Sequence, residues 1–313
     1  MQQRRASPHT IASYRDTFRL LLIFAKNRLH RNPSEIELTA LDAPFLAEFL
    51  HCLEAERKSS IRTRNIRLAA LHSFFRYVAL QDPAYAHLCQ RVLAIPPKRH
   101  EKRPIDFLNE TEIEALLAAP NTSTWLGRRD RTLLYLAIQT GLRVSELTNL
   151  RCQDVVLGTG AHVQCEGKGR KQRCTPLRRD VAALTKSWLR ERQGQPETSL
   201  FPSTRGGPLS RDAVERLVGK YAAMAQKRCP SIRGKGVTPH VLRHSSAMGL
   251  LHHGVDPSVI ALWLGHESVA TTEMYLHADL RIKERALSRT ASGGVKPTRY
   301  HPTDRVLAFL EAL

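Results

Sequence analysis

Residues 238–277 contain the side-chain types and spacing needed to act on a phosphate diester. His240 and Arg243 lie three residues apart just after a proline, where a helix is predicted to begin. His266 follows a glycine at the end of an apolar run, and Tyr275 comes nine residues later. Arginine binds phosphate oxygens through two parallel hydrogen bonds, and histidines can donate others. Because such donors stabilise developing charge, a tyrosine hydroxyl beside them could attack phosphorus.

Two other interpretations of this stretch stay open at this point. Residues 257–278 also fit a helix-turn-helix, in which two helices joined by a glycine turn bind DNA without cutting it. His240 and His244 are four residues apart, as in some zinc sites, but no acidic or cysteine ligand lies at a zinc spacing beside them. We therefore predict no metal site, and the choice between binding and catalysis depends on the rest of the chain.

The chain is strongly basic, with 48 lysine and arginine residues against 29 aspartate and glutamate residues, a formal charge of +19. Such an excess predicts a polyanionic partner. Nucleic acid is favoured over a membrane because the longest apolar runs, such as residues 20–24, are too short to span a bilayer. The first residues carry no apolar core of a secretory signal, and no cysteines form a CxxC pair. We expect a cytoplasmic protein with reduced thiols and no membrane contact.

The N-terminal part, residues 1–95, predicts a bundle of helices whose starts are marked by caps and prolines. In the helix that begins near Ser60, three arginines are predicted on the surface: Arg62, Arg64 and Arg67. The apolar pattern turns five side chains inward: Ile66, Leu71, Phe74, Phe75 and Val78. Residues 96–105 predict an extended linker because prolines flank a basic run. The cations of this run are Lys98, Arg99, Lys102 and Arg103. We expect both basic groups to bind DNA phosphates.

Residues 106–286 predict a catalytic domain. A helix there ends at Gly141, which places Arg143 in the turn that follows. Residues 154–176 change to the period of short strands separated by glycine turns. In the last of these turns, flanking glycines let the backbone approach a phosphate closely. The basic residues of that turn are Lys168, Arg170 and Lys171.

Four segments of the chain, in this order, resemble the tyrosine recombinase, or phage integrase, family. They are TGLRVSEL (140–147), EGKGRKQR (166–173), TPHVLRHS (238–245) and LGHESVATTEMYLH (264–277). One such segment is weakly specific, but four in order and spacing indicate the family, and the resemblance covers essentially the whole chain. The implied fold is mainly α with a small antiparallel β-sheet. A helical core-binding (SAM-like) domain and a catalytic domain would form a C-shaped clamp around DNA.

The resemblance also implies roles for particular residues. Tyr275 would be the nucleophile that forms a 3′-phosphotyrosyl link and frees a 5′-hydroxyl, while Arg143 and Arg243 would hold the scissile phosphate. Lys168 would be the general acid that protonates the leaving oxygen, and His240 would assist proton transfer from the tyrosine. His266 would donate a hydrogen bond to the phosphate, and Glu146 would orient Arg143 or His240. Families of this type need no metal and no cofactor, in keeping with phosphoryl transfer by positioning and charge.

The predicted function is site-specific recombination, in which double-stranded DNA recombination sites are cleaved and rejoined through a Holliday junction for a mobile element. We expect a homo-oligomer on DNA, tetrameric in the synapse, with or without a partner recombinase. Residues 287–313 predict a tether and a short helix that is too short to be stable unless it docks on a protein surface. That surface is either its own domain or, as the resemblance implies, a neighbouring protomer. The alternatives are an Xer-like dimer resolvase, a topoisomerase of type IB and a DNA-binding protein that does not cleave. A pure binder would have no need for Tyr275 or Lys168, which argues against the last.

Overall fold

The structure, a computed structural model, describes residues 7–99, 105–167 and 172–266, together with Thr272 and Tyr275. The chain divides into two compact units, Met1–Arg103 and Pro104–Leu313. Most of the described residues are helical, and three short strands form an antiparallel sheet. The predicted fold class, mainly α with a small antiparallel sheet, is therefore confirmed. Within the described ranges, no helix is long and apolar enough to cross a membrane.

The first unit is a bundle of helices around its own apolar core. Its helices are α1 (Pro8–Leu29), α2 (Ala43–Ala55), α3 (Ile61–Gln81) and α4 (Ala86–Leu93). The first three begin after a residue whose side chain accepts a backbone N–H of the first turn: Ser7, Asp42 and Ser60. Leucine, phenylalanine and other apolar side chains from all four helices are buried together. This burial stabilises the helices more than their intrinsic propensity does.

The structure corrects two predicted positions on α3. Arg64 is only 6% exposed, whereas Ile66, predicted to point inward, is 51% exposed. Arg64 is in line with Leu68 and Leu71, which are both buried, because residues at helical spacings of three and four share one face. Its guanidinium donates to the carbonyl oxygen of Pro96 at 3.1 Å. Arg64 therefore ties the start of the basic run to α3, and the prediction that it is a surface residue was wrong.

The other predicted DNA-binding residues of this unit are distributed as follows. Arg62 is exposed and Arg67 is half-buried on α3, and Lys98 and Arg99 are exposed. Lys98 also forms an ion pair with Glu54 of α2, at 2.6 Å between Nζ and the carboxylate. The remaining residues of the basic run, Lys102 and Arg103, lie outside the described residues.

The second unit contains the three-stranded sheet and the remaining helices. In chain order its elements are α5 (Glu110–Leu117), α6 (Trp125–Thr140), α7 (Val144–Asn149), β1 (Val155–Val156), β2 (His162–Glu166), β3 (Gln172–Pro176), α8 (Arg179–Arg192), α9 (Arg211–Ala225), α10 (Pro239–His252) and α11 (Pro257–Leu264). The strand order is β1-β2-β3 and both pairings are antiparallel, as the alternation of strands and glycine turns predicted. In the β2–β3 pair, Cys165 lies opposite Arg173.

The position of α10 brings distant parts of the second unit together. This helix packs against both α6 and α11. On the α11 side, it shares a small buried cluster that includes Met248, Ile260, Leu264 and Tyr275. The C-terminal ends of α6 and α11 consequently lie beside the first turns of α10. At or next to these three places the sequence predicts residues that bind the phosphate or move protons: Arg143, His240, Arg243 and His266.

Candidate active site

The turn between α6 and α7 presents Arg143 to the site. Gly141 ends α6 in the left-handed conformation, with φ of 61°, and a Cβ atom at this position would collide with the side chain of Leu264 on α11. Arg143 follows as the residue preceding α7, and its backbone N–H donates to the Glu146 carboxylate at 2.8 Å. The Arg143 guanidinium donates to the same carboxylate at 2.9 Å. Glu146 thus anchors both the backbone and the side chain of Arg143.

Glu146 also receives two hydrogen bonds from β3. Arg173 donates to the two carboxylate oxygens at 3.0 and 2.8 Å, so that four N–H groups converge on this carboxylate. A carboxylate has about four lone-pair positions, which these donors can occupy in full. Burial alone would raise the pKa of Glu146, but hydrogen bonds from Arg173 and Arg143 outweigh it and lower the pKa. Glu146 is therefore a charged group shared by two arginines.

Arg243 lies on α10, 3% exposed, between two helix ends. Its guanidinium donates to the carbonyl oxygens of Gly141 at the end of α6 and Leu264 at the end of α11. Arg143 donates to the next carbonyl, that of Gly265, at 3.0 Å. Helix C-termini carry partial negative charge, which makes them good anchors for cations. The two guanidinium groups are thus held by backbone atoms in fixed orientations.

The two arginines together favour an anionic ligand. Burial and the neighbouring charge of Arg143 lower the pKa of Arg243 to about 10. Among the described residues, hydrogen bonds of Arg143 to side chains and carbonyls account for only two of the five N–H groups that a guanidinium carries. A phosphate bound there would relieve the repulsion and accept further hydrogen bonds.

Tyr275 is 1% exposed and is surrounded by histidines. Its hydroxyl oxygen lies 3.0 Å from Nδ1 of His244. The His240 ring packs edge-on against that of His244, with 4.6 Å between ring centroids. The His266 ring lies nearly parallel to the tyrosine ring at 6.3 Å, and its Nδ1 is 2.9 Å from the hydroxyl of Thr272.

The electrostatics around the tyrosine keep His244 and His266 neutral and the phenol protonated. Burial, reinforced by nearby positive groups, lowers the pKa of His244 and of His266 to about 4 each. Burial raises the pKa of Tyr275, although Arg243 and Arg143 act in the opposite direction. At neutral pH the phenol therefore holds its proton, and a reaction at its oxygen needs a group that accepts that proton.

Most of the predicted site residues are brought together, and two further residues join them. The structure places around one location the residues Arg143, Glu146, His240, Arg243, His266 and Tyr275. The predicted turn residues Lys168, Arg170 and Lys171 lie outside the described residues. Sequence reasoning missed Arg173 and His244 as site residues. Both lie inside the segments that carry the family resemblance, but nothing in residue type showed which side chains they contact.

Comparison with known proteins gives consistent matches. The profile of the Phage integrase family matches residues 106–281, and that of the Phage integrase, N-terminal SAM-like domain matches residues 1–82. The Sinorhizobium fredii protein y4rC, named as an integrase/recombinase, is 52% identical over 313 residues, which cover 100% of this chain and 94% of that protein. Tyrosine recombinase XerD of Pseudomonas aeruginosa is 37% identical over 215 residues, which cover 67% of this chain and 69% of that protein.

Among solved structures, the chain is similar to the site-specific recombinase XerH bound to palindromic difH substrate in a post-cleavage complex. The TM-score is 0.70 and the sequence identity is 26%. The similarity covers 87% of this chain and 78% of the XerH chain.

Proposed function

Because this chain belongs to the phage integrase family of tyrosine recombinases, we propose that it cleaves and rejoins duplex DNA through a covalent bond between Tyr275 and a 3′ phosphate. The observation that carries the proposal is the pair of backbone-anchored arginines beside a buried tyrosine whose hydroxyl contacts an imidazole. Two fixed cations suit the non-bridging oxygens of a phosphate diester, and the tyrosine supplies the nucleophile.

The reaction begins when Arg143 and Arg243 bind the scissile phosphate. The Tyr275 oxygen attacks phosphorus as its proton leaves, and the bond from phosphorus to the 5′ oxygen breaks. Lys168 gives a proton to that leaving oxygen, and His266 donates a hydrogen bond to the phosphate. His240 is exposed and packs on His244, and it assists the transfer of the proton away from the tyrosine. Rejoining reverses these steps with a 5′-hydroxyl from another strand, so the bond energy is conserved.

The charge that this reaction needs comes from side chains. Phosphoryl transfer depends mainly on positioning and on stabilising charge over the non-bridging oxygens. Two guanidinium groups and a lysine would supply that stabilisation here, so the proposed reaction uses no cofactor.

Outside the active site, we propose that the predicted basic side chains other than the buried Arg64 contact DNA phosphates. They are Arg62, Arg67, Lys98, Arg99, Lys102, Arg103, Arg170 and Lys171. Contacts with phosphates position a protein on DNA without reading the sequence, and each one makes binding more sensitive to salt. Residues 1–95 are proposed as the core-binding domain, 96–105 as the linker and 106–286 as the catalytic domain.

We further propose that the protein acts as a homo-oligomer on two recombination sites, as a tetramer in the synapse, and that its role is integration of a mobile element. The relative named integrase/recombinase, 52% identical over the whole chain, motivates the integration role, and XerD at 37% motivates dimer resolution as the alternative. A plasmid assay separates the two roles. Insertion of a donor site into unrelated target DNA supports integration, whereas exchange restricted to two identical sites supports resolution.

Covalent trapping tests the chemistry. Nicked duplexes with a randomised central segment are incubated with the protein in EDTA, and adducts that survive denaturation are recovered and sequenced. Wild-type protein and Tyr77→Phe, a change at an exposed tyrosine of α3, should both form adducts, and Tyr275→Phe should form none. An adduct that EDTA abolishes would contradict metal-independent transfer. Tight DNA binding without any adduct would favour the alternative of a DNA-binding protein that does not cleave.

A further inference from the structure

We propose that His244 is the catalytic base that takes the proton from Tyr275 when the tyrosine attacks DNA. This inference rests on the proposed function and assigns to His244 the direct proton transfer that the sequence assigned to His240. Its basis is contact, since the reacting oxygen of Tyr275 lies 3.0 Å from Nδ1 of His244. That distance is within the range in which a general base can accept a proton directly.

The geometry of α10 explains why the second histidine is the one that reaches the tyrosine. His240 and His244 are one helical turn apart, so their side chains lie on the same face. His240 is exposed, His244 is half-buried, and Tyr275 is buried. His244 therefore lies between the exposed imidazole and the phenol. Its Nδ1 is within hydrogen-bonding distance of the tyrosine oxygen.

The surroundings of His244 keep it in the form that can accept a proton. The titratable groups that face it are His240 and Arg243 of its own helix, His266 after α11, and Tyr275. Burial, with smaller contributions from His240, Arg243 and His266, lowers its pKa to about 4, so the imidazole is neutral at physiological pH. A bound phosphate, being negatively charged, would raise this pKa and make the ring a stronger base. In the tautomer with hydrogen on Nε2, Nδ1 presents a lone pair to the phenol O–H.

The proposed step balances in both directions. As the bond from the Tyr275 oxygen to phosphorus forms, the phenol proton moves to Nδ1 of His244 and the imidazole becomes an imidazolium. The negative charge of the bound phosphate stabilises this cation. During rejoining, a 5′-hydroxyl attacks the phosphotyrosine and its proton returns to Lys168. The bond from phosphorus to tyrosine breaks, and His244 returns the other proton to the phenolate.

A competing role for the same contact predicts the opposite kinetic result. If His244 only holds Tyr275 in a buried position away from DNA, then removing the hydrogen bond should release the nucleophile. Cleavage would become faster in that case. If His244 is the base, cleavage becomes slower, because the phenol keeps its proton.

The test measures single-turnover adduct formation by full-length protein on a nicked duplex recovered in the covalent trapping experiment. His244→Asn keeps an acceptor oxygen near the position of Nδ1 but cannot take up a proton. His253→Asn, a change at an exposed histidine after the same helix, is the matched control. For His244→Asn we expect the rate of adduct formation to fall by a factor of about 100 or more, as for loss of a general base. Its affinity for DNA should be unchanged. The control should cleave at the wild-type rate.

A second measurement separates proton acceptance from a purely structural role. Tyr275 is replaced by difluorotyrosine, whose phenol is more acidic and depends less on a base. The decrease in cleavage rate caused by His244→Asn should then become several-fold smaller. A decrease caused by misplacement of the tyrosine would keep its size.

The outcomes distinguish this inference from the proposed function. If wild-type protein forms no adduct, the proposed function fails and the role of His244 fails with it. If wild-type protein cleaves and His244→Asn cleaves as fast or faster, only the role of His244 is overturned. The role of His244 as base is also overturned if the fluorinated tyrosine leaves the decrease in cleavage rate of His244→Asn unchanged. A folded variant is verified by its DNA affinity and thermal unfolding.

Discussion

Replacement of Glu146 by glutamine removes a negative charge that Arg143 and Arg173 share. The carboxylate accepts four hydrogen bonds from these residues, at 2.8 to 3.0 Å, and its side chain is 4% exposed. Glutamine has one acceptor oxygen, and its NH₂ group would point a donor at a guanidinium donor. The substitution therefore leaves two arginines, with Arg243 close by, without the anion that compensates them.

The expected loss of stability follows from the burial of this group. Removing one partner of a buried ion pair costs roughly 3–5 kcal/mol. Because Arg143 is 33% exposed and Arg173 is 13% exposed, water screens part of the remaining charge. We therefore expect the lower end, a decrease of about 3 kcal/mol in the free energy of unfolding. For a unit of roughly 200 residues, each kcal/mol lowers Tm by about 2–4 °C, which gives a decrease of about 6–12 °C.

Tryptophan fluorescence can measure this change in the full-length protein. The chain has three tryptophans, Trp125, Trp188 and Trp263, and all of them belong to the second unit. Thermal unfolding followed by this signal thus reports on the unit that contains Glu146. Glu215→Gln, at an exposed position of α9, is the matched control and should change stability by about 0.5 kcal/mol or less. If Glu146→Gln unfolds at the same temperature as this control, the reasoning about the shared carboxylate is refuted.

The pH dependence of the same comparison gives a second check. The pKa of Glu146 is lowered in the folded protein, so its contribution to stability is present above the unfolded pKa of about 4.3. This contribution is lost as the pH falls through the lower, folded value. The difference in Tm between wild-type protein and Glu146→Gln should therefore narrow as the pH is lowered from 7 through this range. A constant difference would mean that the charge of Glu146 is not its cause.

Three further predictions concern packing and the basic residues. Tyr221→Phe removes a buried hydroxyl that donates to Asp130 at 2.9 Å, and should cost about 1.5–3 kcal/mol in the unfolding assay; an unchanged Tm would contradict this. Gly141→Ala should lower Tm by several degrees, because φ is 61° and the added Cβ meets a leucine of α11; stabilisation would contradict the close contact. Arg64→Ala should lower the stability of the first unit, measured by thermal unfolding in far-UV circular dichroism. Arg62→Ala should leave that stability unchanged. It should reduce by about 1 the slope of log K for DNA binding against log salt concentration. Equal stability of these two variants would contradict the different burial of the two arginines.

Local features of the fold could be predicted from the sequence because they depend on neighbouring residues. Ser60 and Asn109 cap helices through contacts only three residues away. Gly141 ends a helix because glycine adopts positive φ without steric cost, and the glycine turns of residues 154–176 separate three strands. Such interactions are encoded in short segments, and their outcome changes little with the rest of the chain.

Two positions on α3, Arg64 and Ile66, were predicted wrongly for a physical reason, whereas Leu71 and Phe75 are buried as predicted. The sequence of α3 mixes arginines and apolar residues around the whole helix, so the pattern does not define one face clearly. The burial of Arg64 depends on the carbonyl of Pro96, which is 32 residues away. An arginine can be buried where its charge is hydrogen-bonded, and such a partner becomes available only when the helices pack.

The sequence by itself determined which chemical groups this protein has and the order in which they occur, which was enough to identify its family. Only the tertiary structure decided which of them touch. Glu146 meets Arg173 across 27 residues, His244 meets Tyr275 across 31, and Arg243 reaches Gly141 across 102. The contacts of His244 and Arg243 arise because α10 packs against both α6 and α11, and that packing is set by apolar surfaces spread along the second unit. Residue spacing constrains side chains within one helix, whereas contacts between helices depend on the free energy of burying all of them together.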